Sequence, residues 1–259
     1  MMTNVRYLKS RRQVLAFYAT IFFSAAGAIK AREHQEGASE ANSSIRHVVI
    51  EAATAETPRS DTASIAELSD GRLMVVYHKY ERGKHSGQDH GTCRIWSKVS
   101  CDGGQTWGHP RMLVDVVQGD MNVQAPALLR LKSGQLLLIC LRAHQDGSSS
   151  TMCLSSSKDE GETFSSLDPV WSASRGQWLQ GGASNLTELK SGRLLLPLHG
   201  GGGNQWRQKN SAWCFTSDDR GETWQRSTRI DLPKRGAMEA SVAELADDSL
   251  LMSLRTQLG

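Results

Sequence analysis

Glu239 opens the run Met238-Glu239-Ala240-Ser241-Val242-Ala243-Glu244-Leu245, and Arg255 closes the next one, Leu250 to Arg255, sixteen residues later. The short polar turn between the runs folds them into a β-hairpin, so both side chains come to the same mouth. A carboxylate there can take a proton from a weak nucleophile such as a phenol. A guanidinium there can grip a carboxylate with a two-pronged, charge-assisted contact. The competing role for the two is a buried ion pair that closes the sheet. Asp89 is the second candidate. It lies in the loop Arg82-Gly83-Lys84-His85-Ser86-Gly87-Gln88-Asp89-His90, eleven residues before Ser100. It is either a proton-transfer group or a solvated loop residue.

The elements that must position these groups come from an internal repeat. Ser100-Cys101-Asp102-Gly103-Gly104-Gln105-Thr106-Trp107 fits S-x-D-x-G-x-T-W. The pattern returns 57 residues later at Ser157 to Phe164 and 60 residues after that at Ser217 to Trp224. A tight turn precedes each copy: Leu68-Ser69-Asp70-Gly71, Leu131-Lys132-Ser133-Gly134 and Leu189-Lys190-Ser191-Gly192, with a decayed fourth at Leu245-Ala246-Asp247-Asp248. Each unit reads as four antiparallel strands, and no segment from 60 to 259 calls for a helical period. Four-stranded units repeated near 60 residues predict an all-β chain, a β-propeller of four-stranded antiparallel blades. Three units and the first two strands of a fourth are present, about three and a half blades. The sequence therefore reads as the front part of a longer propeller, and open edges predict an aggregation-prone chain. Within the repeat, Asp102, Asp159 and Asp219 are expected to bond their own turns. Gly104, Gly161 and Gly221 supply backbone angles a side chain forbids. Trp107, Phe164 and Trp224 are expected to bury between sheets. These residues are structural, and the missing terminal glutamate argues against a calcium loop.

These repeats resemble the Asp boxes, or BNR repeats, of the sialidase (neuraminidase) superfamily, and residues 61–259 are similar to a bacterial exo-sialidase. The resemblance implies a six-bladed propeller and a retaining glycoside hydrolase that removes terminal sialic or related acidic sugars. By the same resemblance, Glu239 activates a tyrosine nucleophile in a part of the fold beyond this sequence, and Arg255 binds the sugar carboxylate. Asp89 matches the acid/base aspartate, which protonates the departing oxygen and then deprotonates water. The sequence departs from the pattern at Asp61, which stands where such enzymes carry an arginine; Arg59, two residues upstream, is the available substitute. Trp206, beside the glycines at 200–203, is a candidate for stacking on a sugar ring. Tyr77, His78, Gln124, Arg142, His144, Asn185 and His199 also fall at the active face. Asp boxes occur in non-catalytic propellers too, so the alternative is a module that binds glycan or protein.

The remaining features set the setting. Residues 1–28 read as an export leader: Arg6, Lys9, Arg11 and Arg12 precede an apolar run from Val14 to Ala28, ending in Ala26-Gly27-Ala28. Ser10-Arg11-Arg12-Gln13-Val14-Leu15 resembles a twin-arginine signal. Removing the leader changes the formal charge from +3 to −1, which takes away electrostatic support for nucleic acid as a partner. The expected place of action is the periplasm or the exterior, with no stable membrane span. Residues 29–60 read as a polar linker in which Arg46 to Glu51 can form one strand. The five cysteines are scattered and form no CxxC pair or zinc spacing, so neither metal nor cofactor is expected. Asn42-Ser43-Ser44 and Asn185-Leu186-Thr187 are sequon-like, but a bacterial type of leader argues against glycosylation.

Overall fold

The aliphatic run Gln135 to Leu141 has no polar alternation, which suits a strand packed on both faces. In the computed structural model this run is the second strand of a sheet sandwiched between two others. The structure describes residues 46–83, 85–173, 177–181, 185–202 and 209–256. The leader, residues 29–45 and Trp206 lie outside that set.

The first blade orders β1 (Arg59–Glu67), β2 (Leu73–Tyr80), β3 (Cys93–Ser100) and β4 (Arg111–Val114) as a four-stranded antiparallel sheet. The second repeats this with β5 (Asp120–Arg130), β6 (Leu136–His144), β7 (Ser150–Ser157) and β8 (Asp168–Ser172). In the third, both outer strands are broken into pieces: β9 (Gln177–Gln180) and β10 (Thr187–Glu188) flank β11 (Leu194–Gly202), while β13 (Gln225–Arg226) and β14 (Ile230–Asp231) flank β12 (Ser211–Ser217). A hairpin of β15 (Met238–Glu244) and β16 (Leu250–Arg255) begins the fourth. These are consecutive blades of a β-propeller.

Strand alternation divides the core. On β6, Leu136, Leu138 and Cys140 pack with Met74, Val76 and Ile95 of the first blade. Leu137, Ile139 and Leu141 face the other way, onto Leu194, Leu196, Leu198 and Phe215 of the third. Each such fully buried leucine contributes roughly 1.5–3 kcal/mol of transfer free energy.

The S-x-D-x-G-x-T-W turns follow one geometry. In the first blade Thr106 donates its backbone N–H (2.9 Å) and hydroxyl (2.6 Å) to the Asp102 carboxylate, and Gly104 N–H donates to Ser100 Oγ at 2.9 Å. Asp159 and Asp219 accept the same bonds from Thr163 and Thr223. The Thr hydroxyl and N–H hold each of the three carboxyls down at about 2. Trp107, Phe164 and Trp224 are half-buried at the sheet rim, so they are less enclosed than expected. A Cβ on Gly161 (φ +79°) would meet the buried Met74 Sδ at 2.7 Å.

The same end carries inter-blade ties. Lys132 N–H donates to Glu188 at 2.7 Å, and Lys190 N–H donates to Glu244 at 2.8 Å, each glutamate ending the next blade's first strand. In the second blade that position is Arg130, which cannot accept. Glu160 takes over: it accepts Ser69 N–H at 2.8 Å and is gripped by both Arg130 nitrogens at 2.6 and 2.9 Å.

One expectation fails. Arg46 to Glu51 form no strand. They are tied to the first blade by its side chains: Lys98 donates to the Ile50 carbonyl at 2.6 Å, and Glu51 lies against the outer face of the blade. It accepts from Tyr77 Oη (2.8 Å), Lys79 (3.2 Å) and Lys98 (2.8 Å). Among the described residues no helix is long and apolar enough to cross a membrane.

Candidate active site

The end opposite the S-x-D-x-G-x-T-W turns is shaped by bulges. Register slips between Asp61 and Ser64 on β1, between Gln124 and Ala127 on β5, and between Met238 and Ser241 on β15. Each slip holds a non-glycine residue in the left-handed region: Thr62 (φ 51°), Ala125 (φ 53°) and Glu239 (φ 47°). All three stand five residues before the end of their strand. Left-handed backbone costs on the order of 1–3 kcal/mol at such residues, and surrounding structure must hold it.

A buried imidazole does the holding in two of the three. His78 Nδ1 accepts the Ala125 N–H at 3.0 Å, and His199 Nδ1 accepts the Glu239 N–H at 3.2 Å. Each histidine sits near the end of its blade's second strand and reaches the first strand of the next blade. An accepting Nδ1 requires a neutral ring with its proton on Nε2. Burial favours that state and pushes both imidazoles down to about 4. His78 Nε2 faces the Asp61 carboxylate.

These bulges and strand ends line one cavity of about 580 Å³. Arg59, Asp89, Glu239 and Arg255 all reach it, although they come from opposite ends of the described blades. Arg255 Nη1 donates to Glu239 Oε1 at 2.5 Å. The pair is about half exposed, 53% and 48%, so it is not the buried clasp its sequence also allowed. Arg59 donates to Asp89 Oδ1 at 2.7 Å and to the Gly87 carbonyl at 3.2 Å, bonds Asp61 through Nε, and stacks 4.7 Å above the Tyr80 ring. Asp61 thus turns Arg59 toward the cavity. The Asp89 loop is pinned by the buried Asn122, whose amide donates to the carbonyls of Asp89 and Gly91, both at 3.0 Å.

Other expected rim residues divide. His78, Gln124, Asn185 and His199 line the cavity. Asn185 is buried and donates to the Ala240 carbonyl at 2.5 Å. Tyr77 does not line it; alternation sends it to Glu51 on the other face. Arg142 and His144 also miss it, because both hold the buried Asp120, at 2.6 and 2.9 Å. Trp206 is outside the described residues. Sequence reasoning did not find Trp178, Asn210 and Arg235, which complete the walls. Trp178 had a signal in its isolation within a polar stretch, whereas Asn210 and Arg235 had none. Tyr80 is the one tyrosine among the described cavity residues. Burial raises its phenol above the usual range, against service as a nucleophile.

A family described as BNR repeat-like domain matches residues 71–259. No curated protein matches the sequence. Among solved structures, a Hadza microbial sialidase superposes with a TM-score of 0.62 at 20% identity, over 77% of this chain and 42% of its own. The alpha-L-arabinanase of Penicillium chrysogenum gives 0.64 at 18%, over 80% and 61%. The NanB sialidase of Streptococcus pneumoniae gives 0.61 at 14%, over 83% and 50%. At these identities the likeness concerns the fold, and the chain spans roughly two fifths to three fifths of these structures.

Proposed function

The chain belongs to the BNR repeat-like domain family, and on that premise we propose that it serves as an exported glycoside hydrolase of the exo-sialidase type. Its substrates are glycans that end in an acidic sugar. The observation that supports this most is the meeting of Asp89, Glu239 and Arg255 in one cavity, from loops and strands far apart in sequence. Asp89 protonates the glycosidic oxygen as the bond breaks and then takes a proton from water. Glu239 serves as the base that activates the nucleophile. Arg255 fixes the Glu239 carboxylate in the cavity. Arg59, turned inward by Asp61, plays the same part for Asp89. Export rests on the leader-like N-terminus.

The test is release of sialic acid from a fluorogenic sialoside. Asp89→Asn and Glu239→Gln should each lower turnover by about 10²–10⁴-fold, the range for a lost acid or base. Melting temperature should hardly move, since an exposed ion pair contributes about 0–1 kcal/mol. A wild-type protein that binds sialosides but never turns them over would instead be a glycan-binding propeller.

A further inference from the structure

We propose that Cys140 and Cys153 are a redox pair: a disulfide forms between them when the second blade folds under oxidising conditions, and the packing of the first blade then locks it. The proposal does not depend on the hydrolase reading.

The two residues are thirteen apart in sequence and stand directly opposite each other in the ladder of β6 and β7. Directly opposed residues of an antiparallel pair point to the same face, with Cα atoms about 4.5–5.5 Å apart. A disulfide requires about 4.4–6.8 Å, so the bond forms by side-chain rotation with the ladder left in place. Both side chains are thiols in the structure. Both are buried, at 0% and 1% exposure, in the core shared with Met74, Val76 and Ile95 of the first blade. The other described cysteines have no such counterpart. Cys93 opposes Tyr80, Cys214 opposes Pro197, and Cys101 lies in the exposed turn after β3.

The chemistry belongs to the open hairpin. Arg142 opposes Thr151 on the same face as the cysteines, so its guanidinium acts on both sulfurs. A cation beside a thiol favours the thiolate that attacks. In the finished core burial outweighs it, raising Cys153 to about 11 and Cys140 further. Exchange is therefore favoured before the first blade covers the hairpin, which closes within thirteen residues and needs no distant partner. The Cys153 thiolate attacks one sulfur of a donor such as glutathione disulfide and releases one glutathione. The Cys140 sulfur then attacks Cys153 Sγ in the mixed disulfide and releases the second. Two thiols are oxidised to one disulfide, the donor is reduced to two thiols, and two protons pass from the cysteines through solvent to the departing thiolates. Once covered, neither the bond nor a retained thiol pair meets solvent. A chain folded under reduction thus keeps its thiols, and one folded under oxidation keeps its bond.

The test refolds the full chain from urea with excess glutathione disulfide and, in parallel, with dithiothreitol. Each product is denatured, alkylated with iodoacetamide and digested with trypsin. Cleavage after Arg142 puts the two cysteines in separate peptides, 133–142 and 143–158. Refolding with the donor should give these peptides joined, about 2 Da lighter than the sum of the two thiol peptides. The urea midpoint should rise by roughly 1 M over the reduced protein, as expected for a loop of this length. Dithiothreitol added to the oxidised folded chain should leave the bond intact until urea opens it. Recovery of both peptides unlinked after refolding with the donor overturns the proposal, and so does a link from either cysteine to Cys93 or Cys214. A bond that dithiothreitol removes as fast from the folded chain as from the unfolded one overturns the lock. Cys140→Ala should lose both the link and the midpoint difference; should that variant fail to fold, the wild-type peptide map decides. None of these readouts uses a sialoside, so failure here leaves the hydrolase reading intact.

Discussion

Mild acid should destabilise the propeller through the two histidines that hold its bulges. His199 is 5% exposed and accepts the Glu239 N–H, so the folded chain keeps it neutral down to about 4. In the unfolded chain the same imidazole takes up its proton near 6.5. Between those values the unfolded state binds more protons, so stability falls as the pH falls through this window and this contribution levels off below it. The distance from about 6.5 to about 4 is worth roughly 3 kcal/mol for His199. His78 acts in the same direction, although the facing Asp61 carboxylate opposes part of its shift. The informative variant is His199→Asn, whose Oδ1 can take the place of Nδ1 as acceptor without titrating. Urea unfolding of both proteins from neutral pH down to about pH 4.5 should show wild type losing some 2–3 kcal/mol more than the variant. Parallel curves would refute the reasoning, since they would mean that burial of His199 carries no proton linkage.

Two further outcomes follow from packing. Gly161→Ala should destabilise far more than Gly71→Ala. Both glycines are left-handed, at φ +79° and +83°, which costs an alanine roughly 1–2 kcal/mol. Only the Gly161 methyl collides with buried Met74, adding about 1–3 kcal/mol of overpacking; equal losses in urea unfolding would contradict the geometry. In the reduced native protein a thiol reagent should label Cys101 quickly, the partly buried Cys214 slowly, and Cys93, Cys140 and Cys153 only after unfolding. Cys101 is exposed, whereas burial pushes Cys93 to about 12 and Cys153 and Cys214 to about 11, and raises Cys140 further. Rapid labelling of two or more thiols would mean that the blades open more readily than their packing implies.

The sequence by itself determined the blades and the hydrogen bonding of their turns. A repeated Ser, Asp, Gly and Thr satisfy one another within eight residues, and a hairpin of known length places Glu239 beside Arg255, so these features need only local chemistry. The sequence also marked the Asp89 loop. Tertiary structure decided which side chains enter the cavity. Bulges at Thr62, Ala125 and Glu239 shift the alternation by a residue, and the histidines that hold Ala125 and Glu239 belong to the preceding blades. On the unbulged second strands plain alternation decides instead, so His78 and Leu141 enter the site while their neighbours Tyr77 and Arg142 face away. Arg59 turns inward only because Asp61 and Asp89 converge on it from 2 and 30 residues away. Arg235 is one of many arginines in the sequence; the close approach of Asn210 to Gly236 places it in the wall, and a contact between segments so far apart has no signature in either one alone.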